Sequence, residues 1–110
     1  MGARARVLGL LRRARLVAPE PLRPAGPPLE VLARDARRLG ARFHAPAPGS
    51  SFCKIDAVRF AYDRALGRCA DALEVPHLLG VLAPGEHLDR ERARVERVLH
   101  CWGLPLADAA

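Results

Sequence analysis

Side chains able to do chemistry are few and scattered. The cysteines stand at 53, 69 and 101, with no CxxC pair and no twin Cx9C spacing, so neither a redox motif nor an oxidatively folded hairpin is expected. Cys53, His77, His87, His100 and Cys101 are zinc-type donors, but their spacings follow no ligand pattern and no metal site is expected. Cys69 falls on an apolar stripe and reads as a small buried hydrophobe. Cys53 and Cys101 read as exposed thiols, with only Lys54 and His100 adjacent to lower their pKa. There is no Gly-rich phosphate loop, no Ser-His-Asp cue and no paired-carboxylate motif. The expectation is a non-enzymatic protein without a cofactor.

These residues sit in a chain of 110 residues, half apolar and 27% charged. That length allows one small domain. The composition excludes a collagen, a disulfide scaffold and a membrane span. Arg outnumbers Lys 17 to 1, and Ala, Arg, Pro and Gly together fill about half the chain. All four have GC-rich codons, which weakens arginine abundance as a sign of phosphate binding. The net charge of +6 is also unevenly placed. Residues 1–42 hold ten Arg against three acids, a net +7, whereas residues 43–110 hold eight basic and nine acidic side chains, a net −1. A nucleic-acid-binding body would carry its positive charge on the folded part. Here the excess is N-terminal.

Residues 1–19 contain Arg4, Arg6, Arg12, Arg13 and Arg15 and no acid. On a helix, Ala3, Val7, Leu10, Leu11, Ala14 and Val17 fall within an arc of about 120°, with the arginines outside it. A basic amphipathic helix free of acids is what mitochondrial import reads. The expectation is therefore a targeting segment carried by those five arginines and a mitochondrial location, with a cytoplasmic one as the alternative. Absence of Ser and Thr before Ser50 departs from the usual transit composition. An Arg/Ala-rich tail set by base composition is the competing reading. Residues 18–28, APEPLRPAGPP, hold five Pro and are expected to be an extended linker; Pro21 to Pro24 fits a PxxP ligand, which any Pro-rich stretch produces by chance.

Periodicity predicts an all-α fold, a small helix–loop–helix body behind a flexible basic N-terminal segment. The domain division is 1–28 for segment and linker and 29–110 for a small helical domain, best defined over 53–104. A weaker helix covers about 29–39, opened by Pro28 and stopped by Gly40; its stripe of Leu29, Leu32, Ala33, Ala36 and Leu39 is thin, so it must lean on a neighbour. A main helix covers about 55–74. Its apolar residues from Ile55 to Leu73 share an arc of about 140°, with every charged side chain outside, and Asp56/Arg59, Arg59/Asp63 and Arg68/Asp71 at pairing distance on the wet face. A second main helix covers about 89–102, with Asp89 as N-cap, Gly103 and Pro105 as stops, and Trp102 packed near Tyr62 or Leu66. Glu91, in its first turn, reads as structural. Residues 75–82 read as a buried extended segment or a short helix.

Phe60 alone breaks the main helix's pattern by pointing to the charged side. It reads as a lone exposed aromatic, as one covered by the first helix, or as a contact for a partner protein. The functional expectation is a small helical protein working through protein–protein contacts, such as a mitochondrial accessory or assembly protein. The alternatives are an RNA- or ribosome-associated protein using the Arg-rich arm, and a soluble helical protein without targeting.

Overall fold

The computed structural model describes residues 26–104 and 106, so Arg4, Arg6, Arg12, Arg13 and Arg15 lie outside the described residues. The fold is all-α. Three helices follow one another, α1 (Leu29–His44), α2 (Phe52–Ala72) and α3 (Glu86–Cys101), with no strand among the described residues.

Helix α1 begins after Pro28, as the sequence indicates, but runs four residues past Gly40. Gly40 does not stop it. Its missing side chain is instead filled by Tyr62: a Cβ there would stand 2.9 Å from Tyr62 Cε1. Ala33, Ala36, Leu39 and Gly40 form the buried row, and three of these four are small, which lets α2 approach closely. Gly40 faces Tyr62 while Asp35 acts on Cys69, so α1 and α2 run antiparallel. The thin stripe does lean on a neighbour.

Helix α2 starts three residues before the expected Ile55. The Ser51 side chain accepts from the Lys54 N–H at 3.2 Å, an N-cap that satisfies one of the helix's free donors. Phe52, Cys53 and Lys54 complete its first turn with their side chains exposed, so apolar periodicity does not register it. Tyr62, Ala65, Leu66 and Cys69 are buried as expected, whereas Ile55 is 38% exposed and Ala72 is exposed. At the other end the Val75 N–H bonds to Ala70 O at 2.8 Å and the Glu74 N–H to Asp71 O at 3.0 Å, with Glu74 in the left-handed region at φ 58°. That is a Schellman stop, built without its usual glycine.

Helix α3 starts earlier than expected too, after Gly85. Asp89 is therefore not its cap but a first-turn acid, near the positive end of the helix dipole. The α3 stop follows the sequence reading: Gly103 at φ 85°, with the Leu104 N–H on Leu99 O at 3.1 Å and the Gly103 N–H on His100 O at 2.9 Å. This turn decides the fate of Trp102, which is 61% exposed rather than packed on α2. Position 102 lies at the edge of the buried row of Leu88, Val95 and Leu99, and the stop folds Leu104 and Leu106 onto the core instead.

Residues 75–85 form a strap without helix or strand, 75–78 irregular and most of 79–85 turns and bends, with Val75 and Leu79 buried. The core thus draws on all three helices, the strap and the C-terminal turn.

The Gly40–Tyr62 contact gives a direct test. Gly40→Ala gains about 1 kcal/mol of helix propensity, but it forces a Cβ into a buried ring, an overpacking cost of about 1–3 kcal/mol. Urea unfolding should show a net loss; a stabilised variant would show that the Tyr62 ring yields.

Candidate functional site

Two charged side chains are buried among the described residues, Asp63 and Arg92. The expectation that every charge on α2 lies on its wet face fails at Asp63. Arg92 Nε donates to Asp63 Oδ1 at 2.6 Å and Nη2 to Oδ2 at 3.0 Å, a bidentate pair that fits the guanidinium fork. Arg92 Nη1 donates to Asp89 Oδ1 at 2.9 Å, and Arg59 reaches Asp63 Oδ2 at 3.3 Å and Asp56 at 2.9 Å. The Phe43 ring lies 4.7 Å from the Arg92 guanidinium carbon, a cation–π contact from the end of α1. Burial works to lower the Arg92 pKa, but the bonds to Asp63 and Asp89 carry it above the ordinary arginine value. Arg92 is a fixed cation.

A second network adjoins the first. The Tyr62 hydroxyl donates to Glu96 Oε2, and His44 Nε2 lies 2.8 Å from the same oxygen. Burial, then the Glu96 carboxylate, push the Tyr62 hydroxyl well above the ordinary tyrosine range, so it stays protonated and acts as a donor. The Cys69 thiol is pushed up to about 11 by burial and by Asp35, which makes it the inert hydrophobe expected. Cys53 and Cys101 are exposed. Among the described residues no three His, Cys, Asp or Glu side chains come together as a metal site, and none of the helices is long and apolar enough to cross a membrane.

The strap is pinned to α3. The Leu78 N–H donates to Glu91 Oε2 at 2.8 Å, and Arg94 Nη2 donates to Pro76 O at 2.9 Å. Arg94 holds Glu91 from both its Nε and Nη2, at 2.7 and 2.9 Å. That pairing, opposed in part by burial, keeps the Glu91 carboxyl below its ordinary range. Glu91 is structural, but as the tie between strap and α3 rather than as the first-turn acid expected, since α3 begins at Glu86. His77 accepts from the Leu79 N–H through Nδ1 at 3.1 Å, which leaves its proton on Nε2 for Asp71 at 2.8 Å. Asp71 therefore bonds His77 rather than the Arg68 that sequence spacing offered.

What remains exposed is apolar. Phe60 is 58% exposed on α2, uncovered by α1, with the Arg64 guanidinium 5.9 Å from its ring centre. Phe52 is 81% exposed. On α3, Leu78 and Leu82 of the strap meet Arg90, Arg94 and Arg97 in a shallow groove of about 510 Å³, with His87 and Glu91 completing its wall. Sequence reasoning singled out Phe60 and missed this groove, because no periodicity relates the strap to α3. No protein-family model, curated protein or solved structure matches the chain.

Three variants test the polar networks. Asp63→Ala leaves Arg92 buried without its bidentate partner and should cost about 3–5 kcal/mol, whereas replacing both by leucine should recover much of that loss. Urea midpoints of the three proteins check it; equal losses in the single and double variants would overturn it. Glu91 carries a depressed pKa, so its contribution is present above the ordinary carboxyl range and lost as pH falls through its lowered value. Glu91→Gln should therefore lose stability at neutral pH and show a shallower acid limb below about pH 4.3.

Proposed function

We propose that the chain is a non-enzymatic helical protein that acts through protein–protein contacts, a mitochondrial accessory or assembly protein. The observation that carries the reading is Phe60, a large apolar side chain held 58% exposed by a regular, well-packed helix. Helix α2 has no packing reason to place an aromatic there, and Phe52 adds a second exposed ring about two turns away on the same helix. The polar side chains that converge elsewhere are bonded to one another: Asp63 to Arg92, Tyr62 to Glu96 and Glu91 to Arg94. Groups so engaged are poor candidates for acid–base or nucleophilic work.

The mitochondrial part of the reading is supported by the acid-free stretch with Arg4, Arg6, Arg12, Arg13 and Arg15. A second reading, an RNA- or ribosome-associated protein with an Arg-rich arm, is favoured by the net +7 of residues 1–42.

Both parts are testable in cells. Phe60→Ser in the full chain should leave the thermal unfolding midpoint nearly unchanged, as expected for an exposed site, and abolish co-purification of the native partner. Retained co-purification would reject Phe60 as the contact. Residues 1–28 fused to a reporter should carry it into mitochondria. Exchanging Arg12, Arg13 and Arg15 for Lys should be tolerated and exchanging them for Glu should abolish import. An RNA-binding arm would instead lose affinity with Lys, because the guanidinium fork makes bidentate phosphate contacts.

A further inference from the structure

The groove between the strap and α3 combines features that neither element has alone. Its floor is apolar: Leu78 is 50% exposed and Leu82 partly buried, with Val81, 68% exposed, beside them in the strap. Its wall is cationic, because Arg90, Arg94 and Arg97 recur at helical spacing along one face of α3 and His87 extends the row by one turn. The one acid in the lining, Glu91, is already neutralised by Arg94 and occupied by the Leu78 N–H. Arg97 has no acidic partner among the described residues. Arg90 meets Glu86 only at 3.9 Å, with both side chains in solvent, a pair that holds little.

We infer that this groove is a docking site for an acidic amphipathic helix of a partner protein, whose apolar side chains cover Leu78 and Leu82 and whose carboxylates meet Arg90 and Arg97. Charge complementarity selects the acid, and the leucines select the apolar stripe. From His87 to Arg97 the wall extends roughly 15 Å, about three turns, the length over which a docked helix presents two or three anchors. An RNA strand fits worse. No Phe, Tyr or Trp ring lines the groove for base stacking, His87 being its single ring, and an RNA strand would leave the apolar floor of Leu78 and Leu82 without a partner. The groove is also ready-made, since the bonds from Leu78 to Glu91 and from Arg94 to Pro76 hold the strap in place without a ligand.

This inference rests on the reading of the chain as a protein-binding module but names a different face from Phe60, so the two fail separately. The test is a titration of the full chain with a fluorescein-labelled peptide of about 16 residues, Glu on one helical face and Leu on the other, followed by anisotropy and by amide NMR shifts. Binding should move the Leu78, Leu82, Arg90 and Arg97 amides and weaken as salt is raised. Arg90→Glu with Arg97→Glu should weaken it at least tenfold, and Leu78→Ser several-fold. Arg90 and Arg97 are exposed, so circular dichroism should report an unchanged fold. Phe60→Ser should bind as the wild type does, whether or not it loses its own partner. The inference is overturned by shifts confined to the Arg-rich residues 1–42, by binding indifferent to the two charge reversals, or by an oligo-uridine of equal charge binding the groove more tightly than the peptide.

Discussion

The arrangement of this small body depends on one buried ion pair. Asp63 and Arg92, each 4% exposed, are joined by two hydrogen bonds with the directionality of a fork on a carboxylate. Removing such charges from water costs several kcal/mol per ion, so the pair is poorly explained as a source of net stability. What it supplies is register. The core around it is rich in small residues, including Ala36, Ala65, Cys69 and Ala70, and small side chains resist sliding less than large interlocking ones do. A misplaced α3 would leave Arg92 buried without its carboxylate. The same guanidinium engages Asp89 at the start of α3 and Phe43 at the end of α1, so one group fixes three helices at once.

Fold class was legible in the sequence, because helical periodicity is a local property and α2 buries much of its predicted stripe. Helix ends were less so, and the reasons are local. Gly40 looked like a stop since glycine is costly inside helices; the structure keeps it because Tyr62 needs the space. Trp102 looked like core from its angular position, but an angle on a helix wheel takes no account of a chain that turns back. Leu104 and Leu106, beyond the turn, pack on the core while Trp102 stays exposed. In both cases the deciding contact is long-range in space or lies beyond the helix end, where period carries no information.

The site residues show the same division. The burial of Cys69 could be read from its position on its own helix, and the exposure of Phe60 from its disagreement with its own stripe, whereas Glu91 was placed in a first turn that α3 does not have there. The buried Asp63 could not, because its angular position placed it among solvated charges, and only α3 brings Arg92 to it. The α3 groove was invisible for a related reason: half of its lining comes from a segment without periodicity. A sequence cue did exist, the i, i+4, i+7 spacing of Arg90, Arg94 and Arg97, but on its own such a row reads as a solvated face.

The irregular strap also explains why apolar side chains are held in water. A segment without helix or sheet leaves backbone donors and acceptors to be satisfied by other means. Residues 76–79 use Glu91, Arg94 and His77 to do so. Fixing the backbone in this way also fixes the side chains it carries, so Leu79 turns into the core while Leu78 and Val81 face solvent. Isolated exposed residues such as Val31 call for no explanation, since folded proteins expose much apolar surface. Leu78 differs in that three polar side chains spend their bonds on the strap that displays it, beside a cationic row left largely uncommitted. The same interactions that close the fold therefore shape its most distinctive surface.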